Sequence, residues 1–286
     1  MTPFIPKRPV VTAYPKMAEA MSEAEIMSAY LQEKGIEAPW GSIYDEELRK
    51  RVRRGEFDML IIAGGDGSVL RACHLCAPSN VPILGVNLGR IGFLIQIDRN
   101  DWRLHFDKLL NGEAWIENRM MLKAEHFRAG ESLGSWIALN EAVVGRGQNL
   151  RPVRLTVSVD NYRLASYMAD GLIASTPTGS TAYALAAGGP ILPPELRNIL
   201  LAPIAAHLSV DKAVVLSEGS SVDIEAQSEN TVLSVDGQSP VNLMEDDHVR
   251  ITAADVTAQF VRFGDAGYFY RNLTLHMKEN SFGLPR

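Results

Sequence analysis

Residues Gly64-Gly65-Asp66-Gly67-Ser68 place a carboxylate among glycines, between an apolar run at 59–63 and the apolar Val69, Leu70 and Ala72. The run reads as a buried strand, and the residues after the loop read as the start of a helix. Glycine there permits positive φ and close approach of a ligand to the backbone. The first turn of the new helix offers N–H groups to an anion. A carboxylate by itself repels phosphate, so Asp66 suits a hydroxyl or a metal lying next to phosphate. The plainer reading is a tight strand-to-helix turn with Asp66 as a helix cap. The loop carries neither the Gly-x-Gly-x-x-Gly dinucleotide fingerprint nor the Gly-Lys-Ser/Thr of a P-loop.

Three further stretches could do chemistry. Asp170-Gly171-Leu172-Ile173-Ala174-Ser175-Thr176-Pro177-Thr178-Gly179-Ser180-Thr181-Ala182-Tyr183 runs on to Gly188-Gly189-Pro190. Its hydroxyls and glycine lead into a helix expected to start near Ser180 and run to about Ala187. Such a start suits a phosphate or a ribose, and equally an ordinary capped helix. Asn140-Glu141 pairs an amide with a carboxylate, able to grip vicinal hydroxyls or an adenine edge. Asp236-Gly237-Gln238 reads as a turn between strands. Cys73-His74-Leu75-Cys76 lacks the second pair that a structural zinc needs, so buried thiols are the better reading.

The elements that must hold these groups divide in two. Val10 and Val11 lie in a first strand at 9–13. Met17, Ala20, Ala24, Met27 and Leu31 then mark one face of a helix closed by Gly35. A second helix begins after Ser42, with Asp45, Glu46 and Glu47 in its first turn and Arg49 to Arg54 near its end, complementing the helix dipole. Strands at 58–63 and 81–86, a helix following the Gly-Asp loop to about 77, and another at 99–110 ending at Asn111-Gly112 complete an α/β pattern with a mainly parallel sheet. From Trp115 onward the period is mostly two. Val153, Leu155, Val157 and Val159 alternate with polar residues, and Asp160-Asn161 turns the chain into a strand from Tyr162. Short strands follow at 214–216, 222–226, 231–235, 249–253 and 259–263. The expected domains are 1–114, α/β and Rossmann-like, and 115–264, β-rich. The tail at about 265–286 could return to the first.

The chain has 286 residues, 46% hydrophobic, with a formal net charge of −6. That charge argues against a general nucleic-acid binder but leaves room for a local phosphate pocket. Two cysteines and no secretory signal point to a reducing cytoplasm. The apolar stretch at 199–206 is short and holds Pro203, so no membrane span is expected.

Together, the Gly-Gly-Asp-Gly loop, Asn87-Leu88-Gly89-Arg90-Ile91-Gly92-Phe93-Leu94, Leu139-Asn140-Glu141, the 170–190 run and Asp236-Gly237-Gln238 closely resemble the NAD kinase family. They stand in the family's order, from about residue 9 to 273, and the 170–183 run is the most specific piece. The resemblance implies transfer of the γ-phosphoryl of ATP, with Mg²⁺ or another divalent metal, to the adenosine 2′-hydroxyl of NAD. It implies an active site in the cleft between an α/β domain and a β-rich one, in a homodimer or homotetramer.

Position by position, the resemblance makes Asp66 the general base, with Gly67 against the dinucleotide. Asn140, Glu141 and Arg151 become NAD contacts, and Asp170 meets the nicotinamide side. Thr181, Ala182, Tyr183, Ala184, Leu185 and Ala186 line the adenosine pocket, and Gln238 adds a contact. Gly64, Gly65, Ser68, Arg71 and His74 are expected near the phosphates of ATP. The chain departs from the family pattern in places. Ser68 stands where Thr is usual, and Met168 where some members have Arg, leaving NAD versus NADH open. Val210-Asp211-Lys212-Ala213 replaces a more usual Arg-Pro after His207-Leu208-Ser209. ATP versus polyphosphate as donor is open too. The rivals are another Gly-Gly-Asp-Gly kinase, acting on a lipid or on fructose 6-phosphate, and a non-catalytic NAD(P)-binding regulatory module.

Overall fold

The computed structural model describes residues 3–89, 92–148, 151–207 and 211–273. In chain order its first elements are β1 (Pro9–Ala13), α1 (Ala18–Glu33), β2 (Trp40–Ser42), α2 (Glu46–Arg53), β3 (Met59–Gly64), α3 (Asp66–Cys76), β4 (Ile83–Asn87), β5 (Ile97–Asp98) and α4 (Trp102–Leu110). There follow β6 (Ala114–Arg128), β7 (Glu131–Ala138), β8 (Glu141–Arg146), β9 (Val153–Val159), β10 (Tyr162–Ala169), β11 (Gly171–Ser175) and α5 (Tyr183–Ala186). The last are β12 (Asn198–Ile204), β13 (Val214–Ser217), β14 (Val222–Ala226), β15 (Thr231–Val235), β16 (Val241–Leu243) and β17 (His248–Phe263). The chain separates into two compact units, Met1–Asn118 with Ala258–Arg286, and Arg119–Thr257.

In the first unit β2, β1, β3 and β4 lie side by side, all parallel, in registers such as Val11↔Trp40, Val11↔Ile61 and Ile61↔Leu84. β1, β3 and β4 are buried along their whole length. That is why they read as unbroken apolar runs rather than alternating ones. Helix α1 buries Ala20, Ala24, Met27 and Leu31 and is followed by Gly35 at φ +82°. Met17 sits just outside it. The Asp45 carboxylate caps α2 by accepting from the Leu48 N–H at 2.9 Å. On the tail, the Tyr268 hydroxyl donates to Glu117, which also pairs with buried Arg262 at 2.8 Å. Residues 274–286 lie outside the described ones.

In the second unit the strand pairs of described register are antiparallel. One sheet runs β13-β12-β11-β8-β15-β16, and β10-β9-β14-β17 form a second ladder. Alternate residues of both sets, including Val144, Leu155, Val157, Leu172, Leu201, Ile224 and Ile251, make a single core. The β9–β10 turn is Asp160-Asn161, both at positive φ, as a tight two-residue hairpin demands.

Two expectations need correction. The helix expected from Ser180 to about Ala187 is a 3-10 turn at Gly179–Thr181 and then the four-residue α5. Ala182, at φ −99° and ψ −124°, breaks the two apart, and Gly188-Gly189-Pro190 stops the second. The strands expected at 249–253 and 259–263 are one sixteen-residue strand, β17. The apolar run at 199–206 contains β12 despite Pro203. Pairing with β13 ends at Leu201↔Val214, so the missing N–H of Pro203 costs no bond on that side.

Asp247, fully buried, holds the turn into β17. It accepts from His126 Nε2 at 2.7 Å, from Arg128 Nε and Nη2 at 2.8 and 2.9 Å, and from the Met244 N–H at 2.8 Å. Burial alone would raise its carboxyl, but these bonds outweigh that and hold it well below the usual carboxylate range. The folded value is depressed, so the stabilisation is complete above the unfolded value near pH ~4 and is lost as pH falls towards the folded one. Asp247→Ala is expected to cost about 3 kcal/mol in urea melts at pH 7, since it strands buried His126. The gap from the parent should narrow in acid. Equal melts at pH 7 would show the cluster to be idle.

Candidate active site

In the first unit the Gly-Asp loop is built by close approach. β3 ends at Gly64, and a Cβ there would lie 2.5 Å from Ser68 Oγ. Gly65 is the N-cap of α3, and its carbonyl accepts the N–H groups of Ser68 and Val69 at 2.8 and 3.2 Å. Asp66 is therefore the first residue of the helix, and Gly65, not Asp66, occupies the cap position.

The Asp66 carboxylate is held from the segment after β4. Its Oδ2 accepts from the Phe93 N–H at 2.7 Å and its Oδ1 from the Leu94 N–H at 3.3 Å. Gly92 lies flat against it: a Cβ there would come within 2.2 Å of the carboxyl carbon and both oxygens. Asn87 steers the segment as it leaves β4, exchanging hydrogen bonds with the Gly89 backbone at 3.1 and 3.2 Å. The Leu88 N–H donates to the Gly64 carbonyl at 3.2 Å. Arg90 and Ile91 lie outside the described residues. The sequence marked 87–94 by its glycines and cation. Its part in gripping Asp66 has no signal in residue type, because the donors are backbone N–H groups.

Gly67 is exposed at the head of α3, and its carbonyl accepts from Arg71 Nη1 at 2.7 Å. Arg71 also lies 5.2 Å from the Tyr14 ring centroid. Ser68 is buried, and His74 further along the helix is half-buried. Cys73 and Cys76 are buried free thiols, and burial pushes the Cys76 thiol well up.

In the second unit three of the marked stretches meet at one corner. The Asp236 carboxylate accepts the N–H groups of Leu139, Asn140 and Glu141 at 2.7, 2.9 and 2.9 Å. The turn carrying it has Asp236 and Gly237 both at positive φ. The loop after β11 closes over the same corner. Thr176 donates through N to Asn140 O at 2.8 Å and through Oγ1 to Leu139 O at 2.5 Å, and its Oγ1 accepts from Gly179 N at 3.0 Å. Gly179 packs so closely that a Cβ would lie 2.2 Å from Asn140 O. The hydroxyls of Ser175, Thr176 and Ser180 are thus engaged with protein carbonyls.

On α5, Tyr183 is 45% exposed, while Ala184 is fully buried with Ile173, Leu200 and Ala202. Thr181 and Ala182 are half-buried, and Leu185 and Ala186 exposed. A concavity of about 880 Å³ opens beside them, lined by Arg146, Asp170, Tyr183, Asn230, Ser234 and Asn242 among others. Asp170 pairs with Arg146 Nε at 3.1 Å. That pair rests on facing glycines, Gly145 and Gly171, where a Cβ on either would meet the other strand's backbone at 2.9–3.0 Å. Arg146, which the sequence reading passed over, follows the first of these glycines.

Arg151 is exposed and lines a separate concavity of about 780 Å³ with Gln148, Ser228, Glu229 and Asn230. Gln238 is exposed, its carbonyl accepting from Ser234 Oγ at 3.1 Å. Met168 is 39% exposed, and its carbonyl accepts the His207 N–H at 2.7 Å. Leu208, Ser209 and Val210 lie outside the described residues, and Lys212 is exposed. Among the described residues no three His, Cys, Asp or Glu side chains converge as metal ligands, and no helix is long and apolar enough to cross a membrane.

The sequence matches the family models for the ATP-NAD kinase N-terminal domain over residues 11–114 and the ATP-NAD kinase C-terminal domain over residues 139–263. It is 36% identical over 256 residues to an NAD kinase of Chloroflexus aurantiacus, covering 89% of this chain and 92% of that one. Yeast NADH kinase, crystallised with NADH, shares the fold at a TM-score of 0.84 and 23% identity, over 100% of this chain and 91% of that chain. An NAD kinase from Archaeoglobus fulgidus in complex with ATP aligns at a TM-score of 0.75 and 25% identity, over 93% and 97%.

Proposed function

This chain belongs to the ATP-NAD kinase family, and we propose that Asp66 is the base through which it phosphorylates NAD to NADP with ATP. The observation that carries the assignment is the Asp66 carboxylate fixed by the Phe93 and Leu94 N–H groups at the head of α3. A ribose hydroxyl is a poor nucleophile. A carboxylate within hydrogen-bond reach takes its proton as the oxygen closes on the γ-phosphorus and ADP departs. The rest of the acceleration is positioning and neutralisation of charge. Helix α3 contributes its N-terminal N–H groups and macrodipole, with Gly64, Gly65, Gly67, Ser68, Arg71 and His74 around them.

We assign the dinucleotide to the corner made by Asn140, Glu141 and the loop through Thr181 and Tyr183. Asp170, Gln238 and Arg151 are its outer contacts. The Tyr183 ring offers an exposed aromatic face for a base. The divalent metal arrives as part of the ATP substrate and shields its phosphates. We further place the protein in the cytoplasm as a homo-oligomer, on the strength of the family likeness. Matches to ATP-NAD kinase models over both halves decide against the lipid-kinase and phosphofructokinase readings.

Purified protein given NAD, ATP and Mg²⁺ is expected to form NADP, read by an NADP-specific dehydrogenase, and to stop on adding EDTA. Binding of NAD without any NADP would instead establish the non-catalytic module.

A further inference from the structure

Glu141 opens β8 and is only 8% exposed. The Tyr183 backbone N–H reaches its carboxyl, yet its Oε2 is fully buried without a hydrogen-bond partner among the described residues. The surroundings explain the shortage. From the turn after β15 comes Asp236, the charged group that faces it. β11 presents Ser175, which is in register with Glu141 and whose hydroxyl donates to the Asn140 and Thr176 carbonyls. α5 presents Tyr183. The backbone donors of this corner, including the N–H of Glu141 itself, converge on Asp236. An ionised Glu141 would therefore bury a second negative charge with an oxygen unsatisfied. Taking up a proton removes the charge penalty, and the O–H it creates still needs an acceptor.

We propose that Glu141 meets the dinucleotide as a neutral carboxylic acid, its carboxyl O–H donating to an acceptor lone pair of the substrate. This deepens the function proposed above and rests on its assignment of NAD to the Asn140-Glu141 corner. Burial first, and the Asp236 charge second, raise the carboxyl to about 7, so the proton is half lost near neutrality in the free protein. The complex needs that proton, so affinity weakens as pH rises. A carboxylate accepting from two ribose hydroxyls would show the opposite trend.

Calorimetric titration of NAD into the full chain at pH 6, 7 and 8, without ATP or metal, decides between them. The expected Kd at pH 8 is about tenfold above that at pH 6, as one linked proton requires. At pH 8 the heat should vary with buffer ionisation enthalpy, reporting about one proton taken up per NAD. Glu141→Gln keeps a donor and cannot titrate, so it should bind at every pH within about threefold of the parent's value at pH 6. A parent Kd that is flat or falls with pH, or a Gln variant that keeps the parent's trend, overturns the assignment. The parent's trend and proton uptake decide the matter even if the variant does not fold. Absence of NAD binding at every pH would overturn the substrate reading as well, which separates the two failures.

Discussion

Asp66→Asn is expected to lower kcat by about 10²–10⁴-fold while leaving the Kd for NAD within about threefold. The carboxamide is nearly the shape of the carboxylate but has no basic oxygen for the hydroxyl proton. Its oxygen can keep the shorter bond, from the Phe93 N–H at 2.7 Å. Its NH₂ then faces the Leu94 N–H, donor to donor, where the carboxylate accepted at 3.3 Å. Losing that longer bond costs about 1 kcal/mol of folding stability, too little to unfold a domain of this size. Steady-state kinetics with NAD binding by calorimetry separates chemistry from affinity. Turnover near the parent's would remove Asp66 from the base role.

Gly92→Ala carries the second large effect, although position 92 need touch no substrate. Its Cβ would fall 2.2 Å from three atoms of the Asp66 carboxyl group, where real Cβ contacts stay beyond 3.0 Å. Either the carboxylate swings away or the 92–94 segment withdraws its two donors. Both move the proposed base by the order of an ångström, and misplacement on that scale costs about 10²-fold in rate. We expect kcat/KM to fall by about that factor, with a stability loss of about 1–3 kcal/mol. Gly219→Ala, at a position with nothing within 4 Å of the added carbon, is the control and should leave the rate unchanged. A fully active Gly92→Ala protein would falsify the account of how the base is held.

Much of this fold was legible because local chemistry and tertiary demand agree. Apolar Met59 to Ile62 announce a strand buried on both faces. Asp45 caps the helix it precedes, and Asp160-Asn161 supplies the positive φ of a hairpin. Where they disagree, sequence reading fails in ways that can be traced. Ser180 looks like a cap, but its hydroxyl donates to Pro177 O at 2.6 Å and accepts from Leu192 N at 2.9 Å, stitching two loops instead of starting a helix. The site divides the same way. Asp66, Glu141 and Asp236 stand out as carboxylates beside turn residues. The Phe93 and Leu94 N–H groups do not, because every residue but proline has one. Arg146 escaped because its meaning depends on Asp170 across the sheet.

Gly179 lying on the Asn140 carbonyl has a consequence for protein engineering. Two peptide segments 39 positions apart have been machined to a common tolerance, so neither can be diversified alone. A library that varies 139–141 against a fixed 175–179 will mostly sample misfits. Transplanting both stretches together, with the 236–238 turn, moves the corner as one interchangeable part.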